Sequence, residues 1–250
     1  MARSFEDLVA EADSVSVDGW DFSWLDGRAV EQRPSWGYAR GMAARLAGVS
    51  AALDVQTGGG EVLAEAEVLP AVMVATESWA PNVTRAAARL GPRGVQVVAA
   101  GDELPCADGV FDLVVSRHPV RTRWDEIARV LRPGGAYYSQ HVGPASVAEL
   151  YEYFLGPQPE ARDRRRPEQA RAAAEAAGLR VVDLRAESLY TEFRDVGAVV
   201  YFLRKVIWMV PDFGVARYLP RLRALHERIE RDGPFTATTT RYLIEAVKAG

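Results

Sequence analysis

The chain contains few residues of several types, and their scarcity excludes several kinds of site and partner. Its 250 residues include one cysteine, Cys106, which excludes an internal disulfide and a cysteine-based metal cluster. Only Lys205 and Lys248 are lysines among the 30 basic residues, and the formal net charge is −4. A chain of this charge has no overall cationic field that would draw it onto nucleic acid or an anionic membrane. The three histidines lack metal-ligand spacing, so we expect no metal site.

Long apolar runs are also missing. No run approaches the roughly 18 residues that span a bilayer, and the first residues lack the apolar stretch of a signal peptide. These features predict a cytoplasmic protein without a membrane anchor. With 48% hydrophobic residues, the chain is long enough for one α/β domain with additions, and we expect a single domain over residues 1–250.

Strand-like and helix-like patterns alternate through most of the chain. Apolar segments of strand length begin near Leu53 and recur with helical patterns between them. Strands that alternate with helices usually pair in parallel, so this order predicts a doubly wound α/β sheet. The later strand candidates are 71–77, 95–101, 111–118, 135–142, 179–185 and 242–247, and the helix candidates are 61–69, 81–90, 124–131 and 167–177.

Two segments fall outside this alternation and flank a predicted core at 49–189. Residues 1–48 carry an aromatic cluster, and residues 190–240 form a long helical insertion before the last strand, which we place within 241–250. Both segments are candidates to cover the carboxyl ends of the strands, where open α/β sheets bind ligands. The apolar stretch 201–211 suits either closure over a pocket or a contact between two copies in a homodimer.

The most informative motif is Leu53-Asp-Val-Gln-Thr-Gly-Gly-Gly-Glu61, an apolar strand that ends on an acid and runs into three glycines. Glycine permits the backbone angles of such a turn and lets a ligand approach the main chain. Glu77 and Asp102 follow at the ends of the next two strands. An acid at the position of Glu77 can accept hydrogen bonds from ribose hydroxyls, and an acid at the position of Asp102 can reach the amine of an adenine. Each acid alone would equally suit a helix cap or a solvated position.

Together these residues resemble the motifs of class I S-adenosylmethionine-dependent methyltransferases. The resemblance covers roughly residues 48–143 and implies a Rossmann-like seven-stranded sheet, mostly parallel with an antiparallel last strand, plus a helical amino-terminal cap and a helical insertion before that strand. The matching segments are the acid-and-glycine turn 53–60, the ribose acid Glu77, the adenine-side loop 101–105, the fourth strand 111–115 and the turn Arg129-Val-Leu-Arg-Pro-Gly-Gly135.

The resemblance further implies S-adenosylmethionine as the cofactor and methyl transfer to a small molecule. Gln56 departs from the family, which has a glycine there; its side chain could crowd the methionine end of the cofactor, or its amide could hydrogen-bond the cofactor's carboxylate. Leu63 stands where a dinucleotide fold needs its third glycine, which disfavours a nicotinamide cofactor. The implied cofactor-binding residues are Asp54, Gln56, Thr57, Gly58, Gly60, Glu77, Ser78, Asp102, Glu103, Leu104 and Ser116.

Methyl transfer from a sulfonium carbon depends mainly on holding the acceptor in line and excluding water, so a catalytic base is optional. If a base is used, His118 is the first candidate, because it ends the fourth strand and its side chain titrates near neutrality. His141, at the end of the fifth strand, is the second. A structural role is the alternative for both.

An aromatic cluster near the amino terminus gives the best indication of the substrate. Trp20, Trp24, Trp36 and Tyr38 are candidates to wall an apolar pocket or to stack on a planar acceptor, with packing onto the sheet as the alternative. Two other functions stay open. One is a protein that binds the cofactor or a nucleoside without catalysis, and the other is an RNA or protein methyltransferase, which the acidic balance disfavours.

Overall fold

The computed structural model describes residues 3–250 as an α/β protein. Residues 1 and 2, which the predicted amino-terminal segment includes, lie outside the described residues. The α-helices are α1 (Phe5–Ser14), α2 (Tyr38–Leu46), α3 (Glu61–Ala64), α4 (Ala80–Leu90), α5 (Trp124–Val130), α6 (Ala148–Leu155), α7 (Pro159–Asp163), α8 (Pro167–Ala176), α9 (Val196–Lys205) and α10 (Val215–Asp232). The strands are β1 (Ala29–Glu31), β2 (Ala51–Val55), β3 (Val72–Glu77), β4 (Gln96–Ala99), β5 (Phe111–Arg117), β6 (Leu131–Val142), β7 (Leu179–Phe193) and β8 (Phe235–Lys248).

The strands are hydrogen-bonded in the order β1-β7-β8-β6-β5-β2-β3-β4. Pairing is parallel between β2 and β3, β2 and β5, β3 and β4, and β5 and β6, whereas β8 runs antiparallel to β6. The predicted Rossmann-like, mostly parallel sheet with an antiparallel last strand is therefore confirmed. Because β2, β3 and β5 are neighbours, their carboxyl ends meet at one edge of the sheet.

The predicted number of seven strands is wrong, because the described residues contain eight. The additional strand is β1, which spans three residues and pairs antiparallel with β7, Ala29 opposite Phe193. Its sequence, Ala-Val-Glu, is too short to show a strand periodicity. It forms because the backbone of β7 continues far enough to offer it a hydrogen-bonding edge.

The helices begin where the sequence supplies caps. Ser4 accepts a hydrogen bond from the Asp7 amide at the start of α1, and Asp195 does the same for Ala198 at α9. The helix expected over 61–69 is much shorter, since α3 ends at Ala64. The Arg93 guanidinium donates to the carbonyl oxygens of Ala64, Ala66 and Glu67, so the chain beyond α3 satisfies its carbonyl groups without helical bonds.

The insertion between the last two strands is helical in its central part, where α9 and α10 lie. Its ends are extended, because residues 190–193 belong to β7 and residues 235–240 to β8. Both strands are consequently longer than their apolar cores at 179–185 and 242–247 indicate. No helix in residues 3–250 is long and apolar enough to cross a membrane.

The chain divides into two compact units. Unit 1 comprises the residues up to Arg33, 144–164 and 188–240, and its apolar core is formed largely by α1, α6, α9 and α10. Unit 2 comprises 34–143, 165–187 and 241–250. Its sheet separates two apolar cores, as successive residues show: Val114 and Ile244 belong to one core, Val115 and Leu243 to the other. The single domain predicted over the whole chain stays a prediction.

Candidate functional site

The glycine turn in unit 2 follows β2 directly and adopts left-handed backbone angles. Gly58 has a φ of 64° and Gly60 a φ of 79°, a region that glycine enters without steric cost. A Cβ on Gly60 would lie 2.7 Å from Leu90 Cδ1 on α4. Both the backbone angle and the packing against α4 therefore require glycine at position 60.

Glu77 connects the end of β3 to this turn. Its side chain is 8% exposed, and Oε2 accepts a hydrogen bond of 2.9 Å from the Gly58 amide. Oε1 accepts bonds of 2.9 Å from the amides of Ser78 and Trp79. Three backbone donors thus hold one buried carboxylate beside the glycine turn. A carboxylate has about four lone-pair sites, so Oε2 keeps capacity for a further donor.

Asp54, at the end of β2, is a second buried acid in the same place. Thr57 Oγ1 donates a 2.6 Å hydrogen bond to Asp54 Oδ2. Burial raises the pKa of Asp54 to about 7, the bond from Thr57 opposes this, and the charge of Glu77 raises the pKa further. Because burial penalises the charged form, a cationic group bound nearby would favour the ionised carboxylate.

Gln56 adopts a left-handed conformation with a φ of 58°, which is uncommon for a residue with a side chain. Its side-chain amide binds the loop that follows β5: Oε1 accepts from the Val120 amide at 2.7 Å, and Nε2 donates to the Arg121 carbonyl at 2.6 Å. A contact between Gln56 and the cofactor stays a prediction. The side chain anchors the segment 119–123, which we call the β5 loop.

A small cavity lies between the β5 loop and the loop that follows β4. It encloses about 20 Å³, enough for one or two water molecules. Asp102 and Arg121 form an exposed ion pair of 2.5 Å. The cavity brings together four of the predicted cofactor-binding residues, Gln56, Asp102, Leu104 and Ser116, with Val55, Gly101, Pro119, Arg121, Thr122, Arg123, Ile127 and Tyr137.

Not every predicted cofactor residue lines this cavity. Asp54, Thr57, Gly58, Glu77 and Ser78 form the hydrogen-bonded group around the glycine turn described above. Glu103 is exposed to solvent. Ser116, which does line the small cavity, is buried. Its Oγ donates to the Val55 carbonyl at 2.8 Å and so joins β5 to β2.

Two residues of α5 hold the loop after β4: Arg129, recognised in the sequence only as the start of a motif, and Glu126, which none of the sequence motifs includes. Glu126 Oε2 accepts from the Leu104 amide at 2.7 Å, and Arg129 donates to the carbonyl oxygens of Leu104 and Cys106 at 2.8 and 2.7 Å. Arg129 also pairs with Glu126 at 2.7 Å. Arg129 opens the Arg-Val-Leu-Arg-Pro-Gly-Gly motif, so this motif supplies the arginine that fixes the position of Leu104.

His118 ends β5 and is held by Gln140 of β6. His118 Nε2 lies 2.9 Å from Gln140 Nε2, and Gln140 Oε1 accepts from Trp36 Nε1 at 2.7 Å. Since the amide nitrogen of Gln140 is a donor, the Nε2 lone pair of His118 is engaged as an acceptor. Burial, followed by the charges of Arg117, Arg241, His141 and Arg165, lowers the pKa of His118 well below its usual value.

His141 lies on β6 in a stack of three nearly parallel rings. Its ring centroid is 6.3 Å from Trp124 and 4.7 Å from Tyr242, with interplanar angles of 10° and 14°. His141 is 5% exposed, and its Nε2 lies 3.4 Å from the Tyr137 hydroxyl. Burial and the charge of Arg165 lower the pKa of His141 to about 3, so the imidazole is neutral at physiological pH.

A second cavity, of about 250 Å³, adjoins this ring stack. It is bounded by the β5 loop, the ends of β6 and β8, and the first turn of α8. Pro119 and Thr122 line both cavities, so the β5 loop borders the small cavity and the large one. The other residues that line the large cavity are Val120, Trp124, His141, Val142, Arg165, Arg166, Gln169, Ala170 and Tyr242.

The four aromatic residues predicted to bind substrate belong to two units. In unit 1, Trp20 contacts Trp208 at 5.6 Å, and Trp24 contacts Tyr201 at 4.7 Å between ring centroids. In unit 2, the Tyr38 hydroxyl donates to the Ser116 carbonyl at 2.9 Å, and Trp36 donates to Gln140. Tyr38 is buried and stacks on Tyr138 at 5.3 Å. The role of these four residues in substrate binding stays a prediction.

Comparisons with known proteins agree with this geometry. Residues 53–139 match the family model of the methyltransferase domain. No curated protein matches the sequence of this chain. Similar solved structures include a proposed methyltransferase of Bacillus halodurans, which is 20% identical with a TM-score of 0.61 over 86% of this chain and 99% of its own. The YcgJ protein of Bacillus subtilis is 17% identical with a TM-score of 0.58, over 85% and 98%.

A third similar structure contains a product of methyl transfer. It is a phosphoethanolamine N-methyltransferase of Haemonchus contortus in complex with phosphomonomethylethanolamine and S-adenosylhomocysteine. This protein is 16% identical with a TM-score of 0.55, and the match covers 100% of this chain and 61% of that one. The motif that begins at Leu53 thus lies in a segment, residues 53–139, that is similar to the methyltransferase domain, within a Rossmann-like sheet that these solved structures share.

Proposed function

We propose that the chain methylates a small-molecule acceptor, with the cofactor bound between the glycine turn and the loop after β4. One observation carries the location of the site: the buried carboxylate of Glu77 accepts the Gly58 amide, which fixes a ribose-binding acid against the glycine turn. Asp102 stands after the neighbouring strand β4, on the side where an adenine would lie.

The residues present fit the cofactor at its ribose end. Glu77 Oε2 accepts one backbone amide and has room for a ribose hydroxyl. The buried Asp54, whose pKa is raised to about 7, would be stabilised in its charged form by the positive charge that the cofactor carries. S-adenosylmethionine, when bound, supplies a methyl group on a positively charged sulfur.

The fit is incomplete at the adenine end while the β5 loop keeps its observed position. The cavity there holds about 20 Å³, much less than a nucleoside occupies. Binding therefore includes movement of the β5 loop away from Gln56, at the cost of the two side-chain hydrogen bonds to Val120 and Arg121. The same movement joins the small cavity to the large one, because the loop borders both.

The side chains of this site contribute mainly by positioning the acceptor. His118 is held through Gln140, its Nε2 lone pair is engaged and its pKa is low, which makes it a weak base. His141 is neutral and packed between Trp124 and Tyr242. We therefore propose that both histidines shape the acceptor side of the site and that neither acts as a base.

A protein that binds the cofactor without transferring a methyl group is the second candidate. Gln56 favours it, because this side chain holds the β5 loop over the cofactor side of the site. An RNA or protein acceptor remains less favoured on charge grounds, with a net charge of −4.

Calorimetric titration of the full chain with S-adenosylmethionine, S-adenosylhomocysteine and NAD tests this proposal. We expect both sulfur nucleosides to bind and NAD to show no heat of binding. Binding of NAD alone would overturn the proposed function. Incubation with methyl-labelled cofactor and a metabolite extract then separates the two candidates: a labelled small molecule supports catalysis, and tight binding without any labelled product supports the non-catalytic role.

A further inference from the structure

We infer that the large cavity of unit 2 binds a small planar aromatic acid, and that this class of molecule is the methyl acceptor. The second part of the inference, that the acid is the methyl acceptor, rests on the proposed function. The first part does not, because the cavity could bind an aromatic acid even if no methyl group were transferred. Four observations carry it: the volume of the cavity, its ring-lined wall, its positive charge and its position beside the cofactor side of the site.

The volume of the cavity suits a molecule of about one ring. Pockets for drug-sized ligands measure roughly 300–1,000 Å³. At about 250 Å³, this cavity holds a smaller ligand. A single aromatic ring with its substituents is a molecule of that size, whereas a nucleotide or a peptide segment would extend beyond it.

The wall of the cavity is an aromatic surface with a polar edge. Tyr242 and His141 are buried behind Trp124, which is half-buried at the start of α5 and leaves part of its indole accessible. Stacking of a planar ligand on such a surface contributes about 0.5–1.5 kcal/mol beyond the burial of apolar area. His141 Nδ1 makes no hydrogen bond to another of residues 3–250, so the 95%-buried imidazole presents an unused polar atom to the ligand.

The cavity is also lined by positively charged side chains. Arg165 and Arg166 precede α8 and line the cavity together with Gln169. Within residues 3–250, no acidic side chain forms an ion pair with Arg165, and no acidic residue lines the cavity. A carboxylate on the ligand would supply this missing negative charge, and the planar guanidinium can bind a carboxylate through two parallel hydrogen bonds.

The position of the cavity connects the ligand to methyl transfer. Pro119 and Thr122 of the β5 loop line both this cavity and the small cavity on the proposed cofactor side. When the loop moves to admit the cofactor, an aromatic acid stacked on Trp124 becomes the neighbour of the cofactor. The ring stack holds the acid by its face and Arg165 holds it by its carboxylate, which leaves a hydroxyl or amino substituent on the far side of the ring to accept the methyl group. The carbon–sulfur bond of a bound cofactor would break to give S-adenosylhomocysteine, and the proton of the substituent would pass to water.

Binding of matched probes to the full chain tests the inference. The probes are 4-hydroxybenzoate, its neutral analogue 4-hydroxybenzamide, and inorganic phosphate, each titrated with and without saturating S-adenosylhomocysteine. We expect the benzoate to bind at least about tenfold more tightly than the amide, which reflects one charge-assisted contact. In Arg165→Gln this preference should fall below about twofold while the amide binds unchanged. Arg171→Gln on α8 removes the same charge outside the cavity and should keep the preference.

The outcomes separate the inference from the proposed function. If the sulfur nucleosides bind but the benzoate and the amide bind equally, the inference is overturned and the proposed function stands. If the benzoate shows its Arg165-dependent preference but no sulfur nucleoside binds, the aromatic-acid site stands and its role as acceptor site is overturned. Phosphate that binds as tightly as the benzoate would also overturn the inference, because the ring stack would then contribute nothing. Trp124→Ala should weaken the binding of the benzoate and of the amide by a similar factor. An unchanged affinity for both would contradict stacking on Trp124.

Discussion

The two cavities of unit 2 share the β5 loop but differ in almost every other respect. The small one is bounded partly by residues that the sequence motifs identify, and the Gln56 side chain holds the β5 loop against it. The large one is open, lined by rings and arginines, and formed by segments as distant in the sequence as Trp124, Arg165 and Tyr242. The proposed cofactor side of the site thus depends on local sequence, and the proposed acceptor side depends on how distant segments pack.

The difference matters for specificity. The groups that we propose bind the cofactor are backbone amides, glycines and acids at the ends of adjacent strands. The proposed acceptor side consists of side chains of α5, α8 and β8, which can change without altering the glycine turn. Substitutions that alter one cavity and leave the other unchanged therefore test whether cofactor binding and acceptor binding are separate.

The largest expected effect follows replacement of Glu77 by alanine. We expect S-adenosylmethionine affinity to fall at least about tenfold, because the ribose loses a charged hydrogen-bond acceptor and the Gly58 amide loses its partner. Calorimetry on the purified variant measures this, with the melting temperature recorded to confirm folding. Asp102→Ala removes an exposed acid after the neighbouring strand and should change affinity by less than about threefold. Unchanged affinity in Glu77→Ala would mean that the ribose site lies elsewhere.

A smaller effect in the opposite direction is expected from Gln56→Gly. This change removes the two exposed hydrogen bonds that hold the β5 loop, each worth about 0.5–0.7 kcal/mol, so cofactor affinity should rise by roughly fivefold to tenfold. Glycine also relieves the cost of the 58° φ angle, which offsets the lost bonds in the folded state. Stopped-flow measurement of cofactor binding should show a faster association rate.

Arg121→Ala is the matched control for the loop, because it breaks only the exposed ion pair with Asp102. Its effect on cofactor affinity should stay below about twofold. If Gln56→Gly instead weakens cofactor binding, the amide of Gln56 contacts the cofactor directly, and the proposed movement of the β5 loop is wrong.

The smallest effect concerns His118, which the sequence suggested as a base. Because its Nε2 lone pair is engaged by Gln140 and its pKa is lowered, His118→Ala should reduce turnover by less than about tenfold, below the range typical of a general base. The dependence of the rate on pH between about 6 and 9 should be the same in the unaltered protein and in His118→Ala, since the histidine stays neutral throughout. If the rate falls as the pH drops through about 6.5, and if His118→Ala abolishes this dependence, His118 does act as the base.

Much of the cofactor side could be predicted from the sequence because its residues follow strands that are recognisable on their own. Asp54, the glycines, Glu77 and Asp102 stand at the ends of β2, β3 and β4, and parallel pairing of these strands brings their ends to one edge. The antiparallel β8 was likewise recognisable from its apolar core. The helix expected at 61–69 failed because a contact from Arg93, distant in sequence, replaces its later helical bonds.

The contacts of individual side chains were not predictable, since each depends on a partner from another segment. Gln56 reads in the sequence as a residue directed at the cofactor, but its amide binds the β5 loop. His118 reads as a base, but Gln140 engages its ring nitrogen. Glu126 and Arg129 gave no separate signal, although they hold Leu104 in place.

The sequence by itself determined the sheet type, the glycine turn, the acids at the strand ends and hence the class of cofactor, because each of these depends on residues close together in the chain. Only the tertiary structure decided the eighth strand, the anchoring of the β5 loop by Gln56 and the cavity between Trp124 and Arg165. The physical reason is the same in each case: these features arise where backbone or side-chain groups far apart in sequence satisfy one another's hydrogen bonds, pack their rings together or leave a charge without a counterion.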